Sequence, residues 1–141
     1  MTKLEVTIDI IVHATEDIEK FLNSFNEMFE LEKGDFLMST VAGHFDNPIT
    51  TLRVKITKRN ASRFLEKFLE MLSKNQKTVI IQEIEERTEN STLHLRLDKQ
   101  EFVQGGLAFV EKEAIKLKIH TPIYNKKDTV KVFSKLFHDL T

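Results

Sequence analysis

Basic side chains gather in one segment of this chain, at spacings that suit contact with an anion. No acidic residue occurs between Asn47 and Leu65, whereas the same segment holds five cations: Arg53, Lys55, Lys58, Arg59 and Arg63. Arg53 and Lys55 are two residues apart, which would place both side chains on one face of a strand. Cations grouped without neutralising carboxylates indicate a partner that carries negative charge.

The total charge hides this grouping because acids and bases are distributed unevenly along the chain. The 141 residues include 21 Lys and Arg against 22 Asp and Glu, for a formal net charge of -1. Residues 1–46 hold 3 basic and 10 acidic side chains, so the remainder holds 18 basic and 12 acidic ones. This balance argues against a uniformly basic nucleic-acid tail but is compatible with a localised basic surface.

Several kinds of chemistry lack the residues that they need. The chain contains no cysteine, which excludes disulfides, thiolate catalysis, zinc fingers and iron–sulfur clusters. None of the five histidines lies three to five residues from another, so a local metal-ligand motif is missing. Gly105-Gly106 is not followed by the Lys and Ser or Thr of a phosphate-binding loop, and no nucleophile elbow occurs. We therefore expect a non-enzymatic protein with no cofactor and no metal.

Length and hydropathy set the expected organisation and location. A chain of 141 residues falls within the size of one domain, so we expect a single domain over residues 1–141. No apolar run approaches the length of a membrane span, and the N-terminal sequence lacks the layout of a signal peptide. These features predict a cytoplasmic protein that does not enter a membrane.

Two periodicities predict the elements that position the cations. Alternating apolar residues predict strands over Lys3–His13, Phe36–Ala42, Ile49–Lys58, Thr92–Asp98 and Ala114–Thr121. The sequence also predicts a hairpin between Leu107–Val110 and Ala114–Thr121. Helical spacing predicts helices after Thr15, after Asn60 and after Asn125 or Asp128, with Lys33-Gly34 ending the first of them. The segment Gln76–Arg87 mixes strand-forming and helix-forming signals, and we favour a short helix.

Strands mixed with amphipathic helices indicate an α+β fold. The clean alternation predicts a single, mostly antiparallel sheet with helices packed on one face and the other face open. The open face would carry Arg53, Lys55, His94, Arg96, Lys116, Lys118 and His120. Such a face suits RNA, although sheet faces also carry solvated cations without any function.

Two further segments carry side chains suited to nucleic acid. The polar loop Gly43–Pro48 contains His44, Phe45 and Asn47, and an aromatic ring there would either stack on an unpaired base or fold back against the sheet edge. The segment Leu95–Gln100 places Arg96 on the open face, with Lys99 and Gln100 at the start of a helical turn that Asp98 could cap.

Three segments also resemble a known family: Val12–Asp17, Gly43–Ile49 and Leu95–Gln100, in this order. Together they resemble an archaeal family of small RNA-binding proteins that are also described as predicted exosome subunits. That family is said to share a fold with the ribosomal large-subunit protein that binds the smallest ribosomal RNA. The family pattern usually has Gly where this chain has Asp46, and an acid there would weaken phosphate contact.

The resemblance implies a non-enzymatic RNA-binding protein, with a link to RNA processing, the exosome or the ribosome. The residues expected to contact RNA are Arg53, Lys55, Lys58, Arg59, Arg63, His44, Phe45, Asn47, Arg96, Lys99 and Gln100. A second hypothesis is a protein-interaction module, either a homodimer or an accessory subunit of an RNA-processing complex, that uses the open sheet face. A nuclease would need a His or carboxylate cluster that only the fold could assemble.

Overall fold

The computed structural model describes residues 3–43, 45 and 47–141. Its strands are β1 Glu5–Val12, β2 Leu37–Ala42, β3 Pro48–Thr57, β4 Thr88–Glu89, β5 Thr92–Asp98 and β6 Ala114–His120. Its α-helices are α1 Ile18–Phe29, α2 Lys58–Met71, α3 Lys74–Arg87, α4 Lys99–Val103 and α5 Thr129–Asp139. Short 3-10 turns cover Lys33–Asp35 and Lys126–Asp128. In these parts of the chain, no helix is both long and apolar enough to cross a membrane.

The six strands form one open antiparallel sheet in the order β2-β3-β1-β6-β5-β4. Burial follows the alternation that the sequence predicts. Leu52, Val54 and Ile56 of β3 are buried, whereas Arg53 and Lys55 between them are exposed. The same period holds along β1, β5 and β6, so one face of the sheet is apolar and the other is open. The predicted α+β class and sheet are therefore confirmed.

The chain divides into two compact units, and the long strands pass from one unit into the other. The first unit contains the N-terminal residues up to Val6, Ile56–Leu95 and Lys118–Thr141; its α3 packs against α5. The second unit contains Thr7–Lys55 and Arg96–Leu117; its α1 packs against α4. The single domain over residues 1–141 stays a prediction.

Aromatic side chains pack together within the core of each unit. In the second unit the Phe25 ring lies 4.5 Å from that of Phe102 and 5.1 Å from that of Phe36. In the first unit, Phe64 stacks on Phe68 along α2, and Phe133 contacts Phe137 along α5. All of these rings are buried, which confirms that the helical phenylalanines serve the core and not base stacking.

Three predicted helix boundaries are wrong by a few residues. The cap of α1 is Asp17, not Thr15, because the Asp17 carboxylate accepts a hydrogen bond from the backbone N–H of Glu19 at 3.0 Å. The helix ends at Phe29, before Lys33-Gly34, since Glu30 adopts a left-handed conformation with φ 58°. Helix α2 begins at Lys58, so Asn60 lies inside it and does not cap it.

The ambiguous segment Gln76–Arg87 is confirmed as helix, because it lies within α3. Ser73 and Gln76 form a capping box in which each side chain accepts a hydrogen bond from the other residue's backbone N–H. The capping box satisfies two backbone N–H groups at the start of α3 and so favours the helical conformation of this segment.

The predicted hairpin between Leu107–Val110 and the last strand is wrong. This segment instead pairs with the end of β5. The Asp98 N–H donates to the Ala108 carbonyl at 2.8 Å, and the Val110 N–H donates to the Arg96 carbonyl at 3.1 Å. A bridge between Leu97 and Phe109 lies between these two hydrogen bonds. These two hydrogen bonds pair part of the backbone of Leu107–Val110 with the end of β5.

Candidate nucleic-acid interface

The open face of the second unit carries three of the predicted cations on strands. Arg53 and Lys55 project from β3, and Arg96 projects from β5; all three side chains are exposed. Lys116 of β6 is exposed on the same face. Strand geometry aims these side chains away from the core, where a phosphate backbone can reach them.

Arg53 is held by a carboxylate that the sequence reasoning did not assign to this site. Its Nε donates to Oδ1 of Asp9 at 2.5 Å, and the Asp9 side chain is only 11% exposed whereas that of Arg53 is 56% exposed. Hydrogen bonding and charge attraction from Asp9 raise the pKa of Arg53 further above its ordinary value. Asp9 therefore orients the guanidinium and neutralises part of its charge. The alternation of β1 already placed Asp9 on the open face, and this was the signal available in the sequence.

Arg96 is positioned by the segment that follows α4. Its Nη1 donates to the backbone carbonyl of Glu111 at 2.9 Å. The backbone pairing of β5 with Ala108 and Val110 holds this region beside the strand. A guanidinium has five N–H donors, so one bond to a carbonyl fixes its direction and leaves donors for a phosphate.

Phe45 lies at the tip of the turn between β2 and β3. The turn is closed by a hydrogen bond from the Gly43 N–H to the Asn47 carbonyl at 2.7 Å. A Cβ at position 43 would lie 2.6 Å from that carbonyl oxygen, so this close approach requires glycine. Phe45 has φ 57° and is 85% exposed, which excludes the interpretation that it folds back against the sheet edge. His44 and Asp46 lie outside the described residues.

Lys99 is the clearest departure from the predicted site. It is buried, with 8% of its surface exposed, and its Nζ donates to the Ile11 carbonyl at 2.7 Å and to Glu16 Oε1 at 3.0 Å. The same ammonium lies 5.9 Å from the centre of the Phe21 ring. Lys99 therefore ties the start of α4 to the end of β1 and is not presented to a phosphate. Its neighbour Gln100 is exposed on α4.

The carboxylate of Glu16 joins this contact from the loop before α1. It accepts from the His13 backbone N–H at 2.9 Å as well as from Lys99. Burial alone would raise the pKa of Glu16, but the bonds from His13 and Lys99 and the charge of Lys99 outweigh it, and the pKa lies below its ordinary value.

This pKa shift predicts a pH dependence of stability. Because the folded state lowers the pKa of Glu16, its stabilising contribution is complete above the ordinary pKa of 4.5 and is lost as the pH falls through the folded pKa. We expect Glu16→Gln to lower the free energy of unfolding by about 1–3 kcal/mol near neutral pH. Urea unfolding of both proteins across the acidic range should show the difference shrinking below pH 4.5. A difference that stays constant down to the acid limit would contradict the ionised contact.

The first unit carries the remaining predicted cations on one helix. Lys58, Arg59 and Arg63 are exposed in the first two turns of α2, which contain no acidic residue before Glu66. Thr57 precedes the helix without a side-chain hydrogen bond to its free N–H groups. Cations at the positive end of the helix dipole do not stabilise the helix, so its own folding does not account for them.

Metal chemistry has no assembled site in the described parts of the chain, where no group of three His, Asp or Glu side chains could hold an ion. His120 instead forms a hydrogen bond through Nδ1 with the Thr92 hydroxyl at 3.0 Å, and His13 Nε2 contacts Glu113 at 3.1 Å.

Comparison with known proteins decides the family. A family model described as "RNA binding" matches residues 5–121, which is most of the chain. The chain belongs to this RNA-binding family. A curated relative, RNA-binding protein PAB1135 of Pyrococcus abyssi, is 32% identical over 116 residues, which cover 78% of this chain and 75% of that protein. The uncharacterised protein MJ0213 of Methanocaldococcus jannaschii is 28% identical over 137 residues, covering 89% and 91%.

Solved structures of similar chains share the fold. Protein AF2318 of Archaeoglobus fulgidus matches with a TM-score of 0.80 and 27% identity, over 96% of this chain and 99% of that one. Mth689 of Methanothermobacter thermautotrophicus matches with a TM-score of 0.75 and 30% identity, over 97% and 99%. Val12–Asp17, Gly43–Ile49 and Leu95–Gln100, the three segments behind the resemblance, all lie within the matched range.

Proposed function

We propose that this chain is a non-enzymatic RNA-binding protein whose main RNA surface is the open sheet face of the second unit. One observation carries the proposal: in a member of an RNA-binding family, exposed cations occupy the sheet face that no helix covers. The phosphate contacts are made by Arg53, Lys55 and Arg96. Because phosphates are the same at every base, this surface recognises the backbone of the nucleic acid more than its sequence.

Phe45 and Asn47 supply a different kind of contact at one edge of this surface. An exposed ring on a turn can stack on an unpaired base, and base stacking does not depend strongly on sequence. His44 precedes the ring in sequence and belongs to the same proposed contact. RNA with unpaired nucleotides is therefore the preferred ligand, since the bases of a continuous duplex are not accessible for stacking.

Lys58, Arg59 and Arg63 form a second basic segment, on α2 of the first unit. We propose that they add phosphate contacts, as does Gln100 on α4 through a neutral hydrogen bond. Lys99 is left out of the surface because its ammonium is already bound to Ile11 and Glu16.

The cellular task that fits this chemistry is RNA processing in the cytoplasm, including work with the exosome or the ribosome. The resemblance of the three segments to predicted exosome subunits, and the fold that those proteins are said to share with a ribosomal protein, support this assignment. The relative PAB1135 is itself named an RNA-binding protein.

A charge-reversal variant tests the surface directly. We expect Lys55→Glu/Arg96→Glu to weaken binding of a fluorescein-labelled RNA hairpin with an unpaired loop by roughly tenfold or more at low salt, because two phosphate contacts become repulsive. The slope of log affinity against log salt should fall by about 1–2. Fluorescence anisotropy at several salt concentrations measures both quantities.

The matched control is Lys131→Glu/Lys135→Glu, which makes the same change in total charge on exposed positions of α5. We expect this control to bind the hairpin nearly as well as the original protein. Equal affinity of both double variants, with unchanged circular dichroism, would show that the open face is not the RNA surface.

A further inference from the structure

A cleft in the first unit lies where the ends of three strands meet. The start of β1 lies beside the ends of β3 and β6, because β1 is antiparallel to both of its neighbours in the sheet. The cleft encloses about 400 Å³, a volume within the range of sites for small ligands. The residues that line it include Lys3, Glu5, Thr57, Lys58, His120 and Pro122, all of which belong to the first unit.

Two lysines line this cleft from different elements. Lys3 precedes β1, whereas Lys58 is the first residue of α2, and Glu5 is the acid that lines the cleft with them. The Lys58 N–H donates to the Leu4 carbonyl at 3.3 Å, which holds the start of α2 against the residues before β1. The fold therefore brings together two cations that are far apart in sequence, and cations gathered in a concave site attract an anion.

His120 adds a hydrogen-bond donor of fixed direction. Its Nδ1 forms a hydrogen bond of 3.0 Å with the Thr92 hydroxyl, which orients the ring. When that hydroxyl donates, Nε2 carries the proton of the ring and can donate to a ligand in the cleft. The chain after His120 is held by Ser91, whose carbonyl accepts from the Thr121 N–H and whose hydroxyl accepts from the Ile123 N–H, both at 3.2 Å. This wall of the cleft is therefore tied to the neighbouring turn.

An exposed aromatic ring follows the same wall. Tyr124 is 89% exposed and comes two residues after Pro122, so about 7 Å of chain at most separates the two. At this exposure the ring contributes little to the core. Cations that contact a phosphate, with an aromatic ring nearby that stacks on a base, are the two kinds of contact by which proteins hold an unpaired nucleotide.

We propose that this cleft binds the terminal phosphomonoester of an RNA chain, an inference that rests on the proposed function because the ligand is the end of a bound RNA. Lys3, Lys58 and Nε2 of His120 contact the phosphate, and Tyr124 stacks on the terminal base. A phosphomonoester carries a charge of about −1.5 to −2 at neutral pH, whereas an internal phosphodiester carries a single charge, so two lysines favour the end of the chain. The Glu5 carboxylate accepts a hydrogen bond from a ribose hydroxyl.

Short single-stranded RNAs that differ only at their ends test the proposal. One carries a 5′-phosphate, one a 3′-phosphate and one hydroxyls at both ends, and each has fluorescein attached internally. We expect a phosphate at one end to raise the affinity roughly tenfold over the hydroxyl-ended RNA, because hydrogen bonds to a charged group are gained. Fluorescence anisotropy measures the three affinities, and the tighter of the two phosphorylated RNAs shows which end the cleft binds.

The variant Lys3→Gln/His120→Asn removes two of the proposed phosphate contacts. Asparagine keeps a polar atom near the position of Nδ1, toward Thr92, but has none at the position of Nε2. We expect the ratio between the affinities for phosphorylated and hydroxyl-ended RNA to fall toward one. The matched control Lys20→Gln/His138→Asn makes the same changes at exposed positions of α1 and α5 and should keep the ratio of the original protein.

Tyr124 gives a second readout, since the chain contains one tyrosine and no tryptophan. Uridine 5′-monophosphate should quench the emission of this ring by stacking on it, whereas uridine, which has the same base but no phosphate, should not at the same concentration. Equal quenching by the two compounds would overturn the proposal.

The outcomes separate this proposal from the proposed function. RNA that binds with the same affinity whatever its ends would overturn the terminal-phosphate site and leave the RNA-binding function standing. Failure to bind any of the three RNAs would instead contradict the proposed function, and quenching by uridine 5′-monophosphate would then decide alone whether the cleft binds a phosphomonoester.

Discussion

Lys99→Met is expected to lower the free energy of unfolding by about 3 kcal/mol, because it leaves the partly buried Glu16 carboxylate without its cation. The ammonium of Lys99 also satisfies the Ile11 carbonyl at the end of β1, and methionine has no donor to replace it. Methionine keeps nearly the same length and apolar stem, so lost packing contributes little. Urea denaturation near neutral pH measures the change.

The matched control for this prediction is Lys33→Met. Lys33 also binds a glutamate, Glu19, at 3.2 Å, but both side chains of that pair are more than half exposed. Exposed ion pairs contribute little, so this variant should change stability by less than about 1 kcal/mol. Adding Glu16→Gln to Lys99→Met should recover part of the loss, since the uncompensated charge is then removed. Equal effects of Lys99→Met and Lys33→Met would show that burial does not strengthen the Lys99 contact.

The sheet could be predicted from the sequence because its signal is local. Alternation along Thr92–Asp98 gives the bounds of β5, and the buried residues of β3 follow the same two-residue period. The segment Leu107–Val110 could not be placed in the same way. Its short apolar run fits beside any strand with a free edge, and the end of β5 provides that edge nearby.

The candidate site was less accessible to sequence reasoning because its decisive contacts join distant residues. Asp9 and Arg53 are separated by 44 positions, and Glu16 and Lys99 by 83. Lys99 lies three positions after Arg96 and is also basic, but only Arg96 is exposed on the open face. The type of a lysine does not reveal whether its ammonium meets solvent, a phosphate or a buried carboxylate; the fold decides that.

The sequence predicts a polar open face that collects basic side chains. The face is basic where Arg53 and Lys55 project from β3 and Arg96 projects from β5, but it becomes apolar toward β2, where Leu37 and Val41 lie. Leu37 and Val41 are residue types that usually occupy buried positions in a strand. They are exposed because β2 is the outermost strand and extends past the helices, which the residue pattern of β2 alone cannot show.

Phe102→Ala is expected to destabilise the protein by about 3–5 kcal/mol, as large as any single substitution considered. Phe102 is completely buried although its helix α4 has only five residues, and its ring lies 4.5 Å from that of Phe25. Such a short helix is not stable by itself, so the ring is the main attachment of α4 to the core. A domain of this size has a total stability of about 5–15 kcal/mol, so the loss is a large fraction of it.

The matched control for Phe102→Ala is Phe45→Ala, which lies in the exposed turn between β2 and β3. Phe45→Ala removes a ring of the same size from a position that is 85% exposed, and it should change the free energy of unfolding by less than about 0.5 kcal/mol. Because Lys99 and Phe102 both lie on α4, loosening this helix releases the tie to β1 together with the Phe25 contact. Hydrogen exchange in Phe102→Ala should therefore accelerate at Ile11 and along α1 before it does so in α3. Uniform acceleration throughout the chain would show instead that α4 unfolds only with the whole protein.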